Sequence, residues 1–132
     1  MPNRSEDRRT DLQPLDYFGW FVAQKLRDRA ILHFDGLLKG HWKSPSSQTL
    51  QNALGELSDS HKAIFRRAFI SSIDNAIHDF LFAVQESADF ENRLTITVDG
   101  QNVVELTDGI HAEAFGEDGW FARFSGHGEP IP

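Results

Sequence analysis

The sequence predicts a single α+β domain in which three or four helices pack on one face of a four-stranded antiparallel meander sheet. The chain has 132 residues, which is the usual size of one domain. Apolar residues recur every three or four positions as far as residue 87, and every second position just after it. The first spacing is typical of helices and the second of strands. Because the helices come first and the strands afterwards, the α+β class is favoured over an alternating α/β fold.

Composition and charge restrict the functions open to the chain. Hydrophobic residues make up 39% and charged residues 25%, a balance typical of globular proteins. There is no Cys, which excludes disulfides, thiolate nucleophiles and Cys-ligated metals. The formal net charge of −7 lies entirely in residues 88–132, which hold nine acids and two bases. That segment repels nucleic acid and suits a basic protein partner.

The chain shows neither a signal peptide nor an apolar run long enough to cross a membrane, which requires about 18 residues. We therefore expect a cytosolic protein with a protein partner, and no nucleic acid, membrane or cofactor. Residues 1–10 are polar and predict a disordered tail. Residues 11–87 predict the helical part of the domain, residues 88–125 its strands, and residues 126–132 a loose C-terminal tail.

The first predicted helix begins near Pro14 and ends before Gly40, with Asp16 as its candidate N-cap. Gly19 and Gly36 lower the helix propensity of this segment, so the sequence also allows a break in the helix near Arg27-Asp28. The apolar stripe of this helix spans six turns and consists of Leu15, Phe18, Val22, Leu26, Ala30, Phe34 and Leu37.

A turn at residues 43–47 and a short helix to about Leu57 precede the longest predicted helix. Ser58, Asp59 and Ser60 are alternative N-caps for that helix, which is expected to end near residues 85–87. The predicted core stripe of the long helix consists of Phe65, Phe69, Ile73, Ala76, Phe80 and Val84. The run from Phe80 to Val84 has no polar side, so both of its ends are expected to be almost fully buried.

The predicted sheet begins with the alternating apolar residues Leu94, Ile96 and Val98. Asp99-Gly100 then predicts a hairpin turn. A two-residue loop would pair Ile96 with Val103, whereas a three-residue loop would pair it with Val104. Two further strands, at residues 110–115 and 120–125, would complete the meander.

Four residues carry the enzymatic alternative, which is a small hydrolase or a metal-dependent enzyme. Asp74 and His78 lie one helical turn apart, so the carboxylate could orient the imidazole as a general base. His111 and Glu113 share one face of a predicted strand and could bind a divalent metal with one more ligand, either His127 or His78. Surface pairing and solvation are the simpler interpretations of both sets, so we assign no catalytic residue and no metal ligand.

Aromatic and acidic residues near the end of the chain provide the main functional prediction. In the expected meander, Phe115, Trp120 and Phe124 share one face of the sheet. Exposed aromatic side chains ringed by acids are typical of protein interfaces. The predicted partner-binding residues are Glu113, Phe115, Glu117, Asp118, Trp120 and Phe124.

The segments His78-Asp79-Phe80-Leu81-Phe82 and Gly116 to Phe124 resemble a small bacterial family of uncharacterised proteins. The acidic, Cys-free profile is also similar to bacterial immunity proteins, which neutralise toxins. Neither resemblance implies a catalytic residue. The leading hypothesis is a non-enzymatic cytosolic protein-binding module, such as a bacterial immunity or inhibitor protein, that acts through an acidic and aromatic sheet face.

Overall fold

The computed structural model describes residues 11–127 and consists mainly of helices. Expectations for residues 1–10 and 128–132 lie outside the described part of the chain. The helices are α1 (Pro14–Phe21), α2 (Asp28–Leu38), α3 (Pro45–Gly55), α4 (Asp59–Glu86) and α5 (Trp120–Phe124). A π-helical turn, Val22–Arg27, joins α1 to α2 without a break, and a second π-helical turn, Ser87–Glu91, extends α4.

The prediction of a four-stranded sheet is wrong. Residues 11–127 contain one two-stranded antiparallel sheet, formed by β1 (Thr97–Val98) and β2 (Gln101–Asn102). The other two predicted strands are replaced by a 3-10 turn at Ala112–Ala114 and by α5. Trp120 and Phe121 are neighbours in the chain and are both buried. A strand covered on one face would expose one of them, whereas one helical turn buries both.

The predicted hairpin turn at Asp99-Gly100 is confirmed. Both residues have positive φ, 51° and 78°, as the favoured two-residue turns require. Val98 pairs with Gln101, and the amide of Val103 donates to the carbonyl of Ile96 at 2.9 Å. The two-residue register is therefore the correct one of the two alternatives.

The ends of the helices follow the sequence closely. The hydroxyl of Ser58 accepts a hydrogen bond from the amide of His61 at 3.2 Å and caps α4. The predicted end of this helix near residues 85–87 is too early, since α4 ends at Glu86 but the π-helical turn continues it to Glu91. Gly40 follows α2 with φ +67°. The N-cap of α1 is Gln13 with Pro14 behind it, so the prediction of Asp16 as the cap is wrong.

The continuous helix formed by α1, the first π-helical turn and α2 is called the first long helix below. Its two glycines, Gly19 and Gly36, each leave space for an indole ring. A Cβ atom on Gly19 would lie 2.3 Å from the ring of Trp120, and one on Gly36 would lie 2.4 Å from Nε1 of Trp42. That same Nε1 donates to the carbonyl of His33 at 2.9 Å. Close packing, and not helix propensity, therefore explains glycine at these positions.

The core lies between α1, the C-terminal half of α4 and the segment that follows it. Val84 is 2% exposed, as predicted, but Phe80 is 60% exposed, so its predicted burial is wrong. The buried face of α4 carries Ile70, Ile77 and Leu81. It lies about 100° around the helix from the side that carries Phe65 and Phe80. The apolar arc of α4 is wider than the face that the fold covers.

Candidate functional site

A buried ion pair joins the two long helices where the first π-helical turn ends. The guanidinium of Arg27 donates from Nε to Oδ1 of Asp74 at 2.6 Å and from Nη2 to Oδ2 at 3.2 Å. The two side chains are 1% and 4% exposed. Nη1 of Arg27 also donates to the hydroxyl of Ser125 at 2.9 Å and to the carbonyl of His127 at 2.6 Å. This cluster ties the C-terminal segment to both helices.

The predicted Asp74–His78 pair is not formed, because the Asp74 carboxylate is occupied by Arg27. His78 turns away, and its Nδ1 lies 3.1 Å from Oδ1 of Asp79. Its side chain is 43% exposed. The structure does bring His78 to His111, with ring centroids 5.4 Å apart and perpendicular planes. Two imidazoles therefore meet without the carboxylate that was to orient one of them.

The remaining candidate ligands also have other partners. Glu113 accepts a hydrogen bond from Oγ1 of Thr107 at 2.7 Å. His111 packs edge-on against Phe82 at 4.9 Å, and its Nδ1 is buried without a hydrogen-bond partner. Within residues 11–127, no three His, Asp or Glu side chains are placed to hold a metal ion. The two histidines serve as aromatic packing between α4 and the 3-10 turn.

The predicted aromatic interface does not form a surface. Trp120 is fully buried, packed edge-on against Phe18 at 5.7 Å, so the prediction that it is an exposed anchor is wrong. Phe115 is half-buried and contacts Phe121 at 5.3 Å. Phe124 is also half-buried, beneath the guanidinium of Arg123 at 4.7 Å. Without the sheet, Trp120 packs against α1, and Phe115 lies against His78 of α4 and Phe121 of α5.

The acidic members of that predicted interface lie at the surface. Glu117 and Asp118 are exposed, and their role in partner binding stays a prediction. The carboxylate of Asp16 accepts a hydrogen bond from Arg123 at 2.9 Å and raises the pKa of that guanidinium. The charges of Glu113 and Asp118 raise the same pKa, and burial opposes them in part. The raised pKa favours the charged guanidinium, and this contribution to stability is lost as the pH rises through that pKa.

A shallow acidic cavity was not predicted from the sequence. It measures about 480 Å³ and is open to solvent. Its walls are Glu105, Leu106, Thr107, Asp108, Gly109, Ala112 and Glu113. Two 3-10 turns, Val103–Leu106 and Ala112–Ala114, fold these residues into one wall, so a strand interpretation could not have brought them together.

An exposed apolar row with helical spacing lies on α4, and we call it the Phe row. It consists of Phe65, Phe69, Ser72, Ala76, Phe80 and Ala83. Steps of three and four residues place all six on one side of the helix, over about 27 Å. Phe65 is 50% exposed and Phe80 60% exposed. Most of these residues belong to the stripe that the sequence assigned to the core.

Helix α2 borders the Phe row and holds its centre in place. The ring of Phe34 stacks on that of Phe69, with centroids 4.6 Å apart and planes within 13° of parallel. Beside it, Nε of Arg66 donates to Oδ1 of Asp35 at 2.7 Å. Leu26, two turns before Phe34 on the first long helix, is 47% exposed. The row therefore belongs to a two-helix surface with a fixed geometry.

No family model matches the chain, and comparisons with curated proteins and with solved structures find no match. We therefore carry no activity and no residue over from the bacterial resemblance. Across the described range, none of the helices has both the length and the apolar character needed to cross a membrane.

Proposed function

We propose that this chain is a non-enzymatic protein-binding module and that the Phe row is its docking face. One observation carries the proposal: Phe65 and Phe80 are each at least half exposed on the same side of one helix. They lie about 22 Å apart, with the small residues Ser72 and Ala76 between them. Aromatic side chains are enriched at the centre of protein interfaces.

The Phe row is held rigid before any partner arrives. Helix α4 is 28 residues long. Its residues Asp74 and Arg66 form ion pairs with Arg27 and Asp35, which fix it to the first long helix at two points along its length. A side chain that is already ordered loses little conformational entropy on binding, so more of the contact energy appears as affinity. Rigid helix faces suit apolar docking for this reason.

The enzymatic alternative receives less support from the geometry. Asp74 is neutralised by Arg27, and Glu113 is bonded to Thr107. His78 and His111 are left as a pair of imidazoles without a nucleophile in contact. A general base needs a partner within hydrogen-bond reach of the proton that it removes. The proposal retains the cytosolic inhibitor or immunity class expected from the sequence, and replaces the sheet face with a helical one.

Affinity capture from extracts of the native cell, followed by mass spectrometry, tests the proposal. The bait proteins are the wild type, Phe65→Asp, Phe80→Asp and, as a matched control, Leu32→Asp. Leu32 is 61% exposed on α2 and points away from Phe34, which lies two residues further along the helix. We expect a protein that is retained by the wild type and by Leu32→Asp and lost from both Phe variants. Identical retention by all four baits would contradict the proposal.

A further inference from the structure

We infer that the partner seated on the Phe row is a second copy of this chain, docked antiparallel about a two-fold axis near Ser72. The inference rests on the proposed function, since it takes the Phe row as the docking face. The row's residue pattern and the distribution of charge along the molecule support it independently of each other.

The Phe row is complementary to its own reverse. Reversal about the midpoint between Ser72 and Ile73 places Phe65 opposite Phe80, and Phe69 opposite Ala76. The exposed rings at the two ends then meet in pairs, and the large Phe69 side chain faces a small one. A two-fold interface requires this reciprocity, in which each residue meets the counterpart of its own partner. Parallel docking would set Ala76 against Ala76 and leave the centre of the interface poorly packed.

Charge is separated along the molecule in a way that also favours antiparallel docking. Residues 39–72 hold five bases and two acids, a net charge of +3, whereas residues 73–127 hold eleven acids and two bases, a net charge of −9. The 28 residues of α4 span about 42 Å. Helix α3 packs on α2 beside the basic half, while the amide of Ile110 bonds to Gln85 at 2.9 Å beside the acidic half.

Antiparallel docking brings the basic end of each copy against the acidic end of the other. Parallel docking would bring like charges together, which is unfavourable across an interface. The half-buried Lys62 lies beside the Phe row on the N-terminal half of α4, and the exposed acids Asp79 and Glu86 lie beside it on the C-terminal half. Residues 1–10 and 128–132 contain Met1 and Ile131 as their large apolar residues, too few to match the Phe row.

Light scattering coupled to size-exclusion chromatography tests self-association of the full chain over a wide range of concentration. We expect dimers for the wild type and for Leu32→Asp. We expect monomers for Phe80→Asp, with an unchanged circular dichroism spectrum. In protein dilute enough for the wild type to be monomeric too, its unfolding midpoint should match that of the wild type, because the ring is already 60% exposed in the single chain. A monomeric wild type would overturn the inference, and so would a Phe80→Asp variant that still forms dimers.

Single cysteines test the antiparallel arrangement, because the chain has none of its own. In the proposed dimer, position 72 lies next to its symmetry mate. Position 83 lies about 30 Å from its own mate, whereas a disulfide needs Cα atoms within about 7 Å. Under brief oxidation we expect Ser72→Cys to form a covalent dimer and Ala83→Cys to remain uncrosslinked. A mixture of Lys62→Cys and Ala83→Cys should form the mixed disulfide, and equal crosslinking of Ala83→Cys with itself would overturn the arrangement.

Failure of the inference can be told apart from failure of the proposed function. A monomeric wild type that retains a different protein, and loses it on Phe80→Asp, overturns self-association and leaves the docking face in place. A monomeric wild type with capture that is insensitive to both Phe variants overturns both.

Discussion

Gly19 shows how one residue reports a contact that the sequence conceals. In an exposed helix, Gly→Ala stabilises by about 1 kcal/mol. Here the added Cβ would lie 2.3 Å from the ring of Trp120, so we expect Gly19→Ala to destabilise by about 1–3 kcal/mol. Gly55→Ala is the control, since nothing lies within 4 Å of its Cβ position, and it should be neutral or stabilising. Urea unfolding measures both, and equal midpoints for the two variants would contradict the contact.

Asp74 makes the same point for charge. We expect Asp74→Ala to lower the free energy of unfolding by about 3–5 kcal/mol, because Arg27 would stay buried without a counter-ion. Asp16→Ala breaks the exposed pair with Arg123 and should cost about 0–1 kcal/mol. Chemical denaturation of the two variants tests the difference, and similar costs would show that Arg27 reaches water. Residue spacing predicts contacts only between neighbours on one helix, so it paired Asp74 with His78. The actual partner, Arg27, lies 47 residues away in the chain.

At the scale of the element, α3 depends on one glutamine. Oε1 of Gln51 accepts from the amide of Trp42 at 2.8 Å, and Nε2 donates to its carbonyl at 2.9 Å. Gln51 is 8% exposed, so Gln51→Ala should cost about 1–3 kcal/mol. Amide hydrogen exchange in the Gln51→Ala variant should speed up in α3 and remain slow in the centre of α4. Gln48→Ala, which loses one exposed hydrogen bond to Lys43, is the matched control. Equal exchange in both variants would contradict the dependence of α3 on Gln51.

The helices could be predicted because their signals are local. Ser58, Gly40 and the apolar spacing act within a few residues, and the structure follows them. The segment after α4 could not be predicted in the same way. Its short alternating run around Ile96 did form a hairpin, but Ile110 and Trp120 are placed by contacts with α4 and α1. Those contacts join residues far apart in the chain, and an alternating apolar pattern does not predict them.

At the scale of the whole molecule, the position of the core buries one of two neighbouring residues of α4 and leaves the other exposed. Leu81 is 1% exposed and Phe80 60% exposed. We expect Leu81→Ala to cost about 2–5 kcal/mol, whereas Phe80→Ala should change the free energy of unfolding by less than about 1 kcal/mol. Thermal unfolding of dilute protein compares them. If Phe80→Ala proved the more damaging, the buried face of α4 would have been assigned incorrectly.

The same division explains what the sequence could say about the candidate site. It identified the residues of the Phe row as an apolar stripe but placed them in the core. A stripe is compatible with either a core or an interface, and Ile70, Ile77 and Leu81 form a competing one. Only the packing of α1 and the later segment decides which of the two is covered.

The contacts around the first π-helical turn have a consequence for how the chain is made. Gln24 bonds to the carbonyl of Phe124, and Arg27 to that of His127, each across 100 residues. Ribosomes add about 5–20 residues per second, so the first helix waits about 5–20 s for the residues that complete its surroundings. During that interval the nascent helix exposes the apolar surface that the folded protein buries, and the Arg27 guanidinium is hydrated. Contacts this distant also slow folding relative to helical proteins built from local contacts.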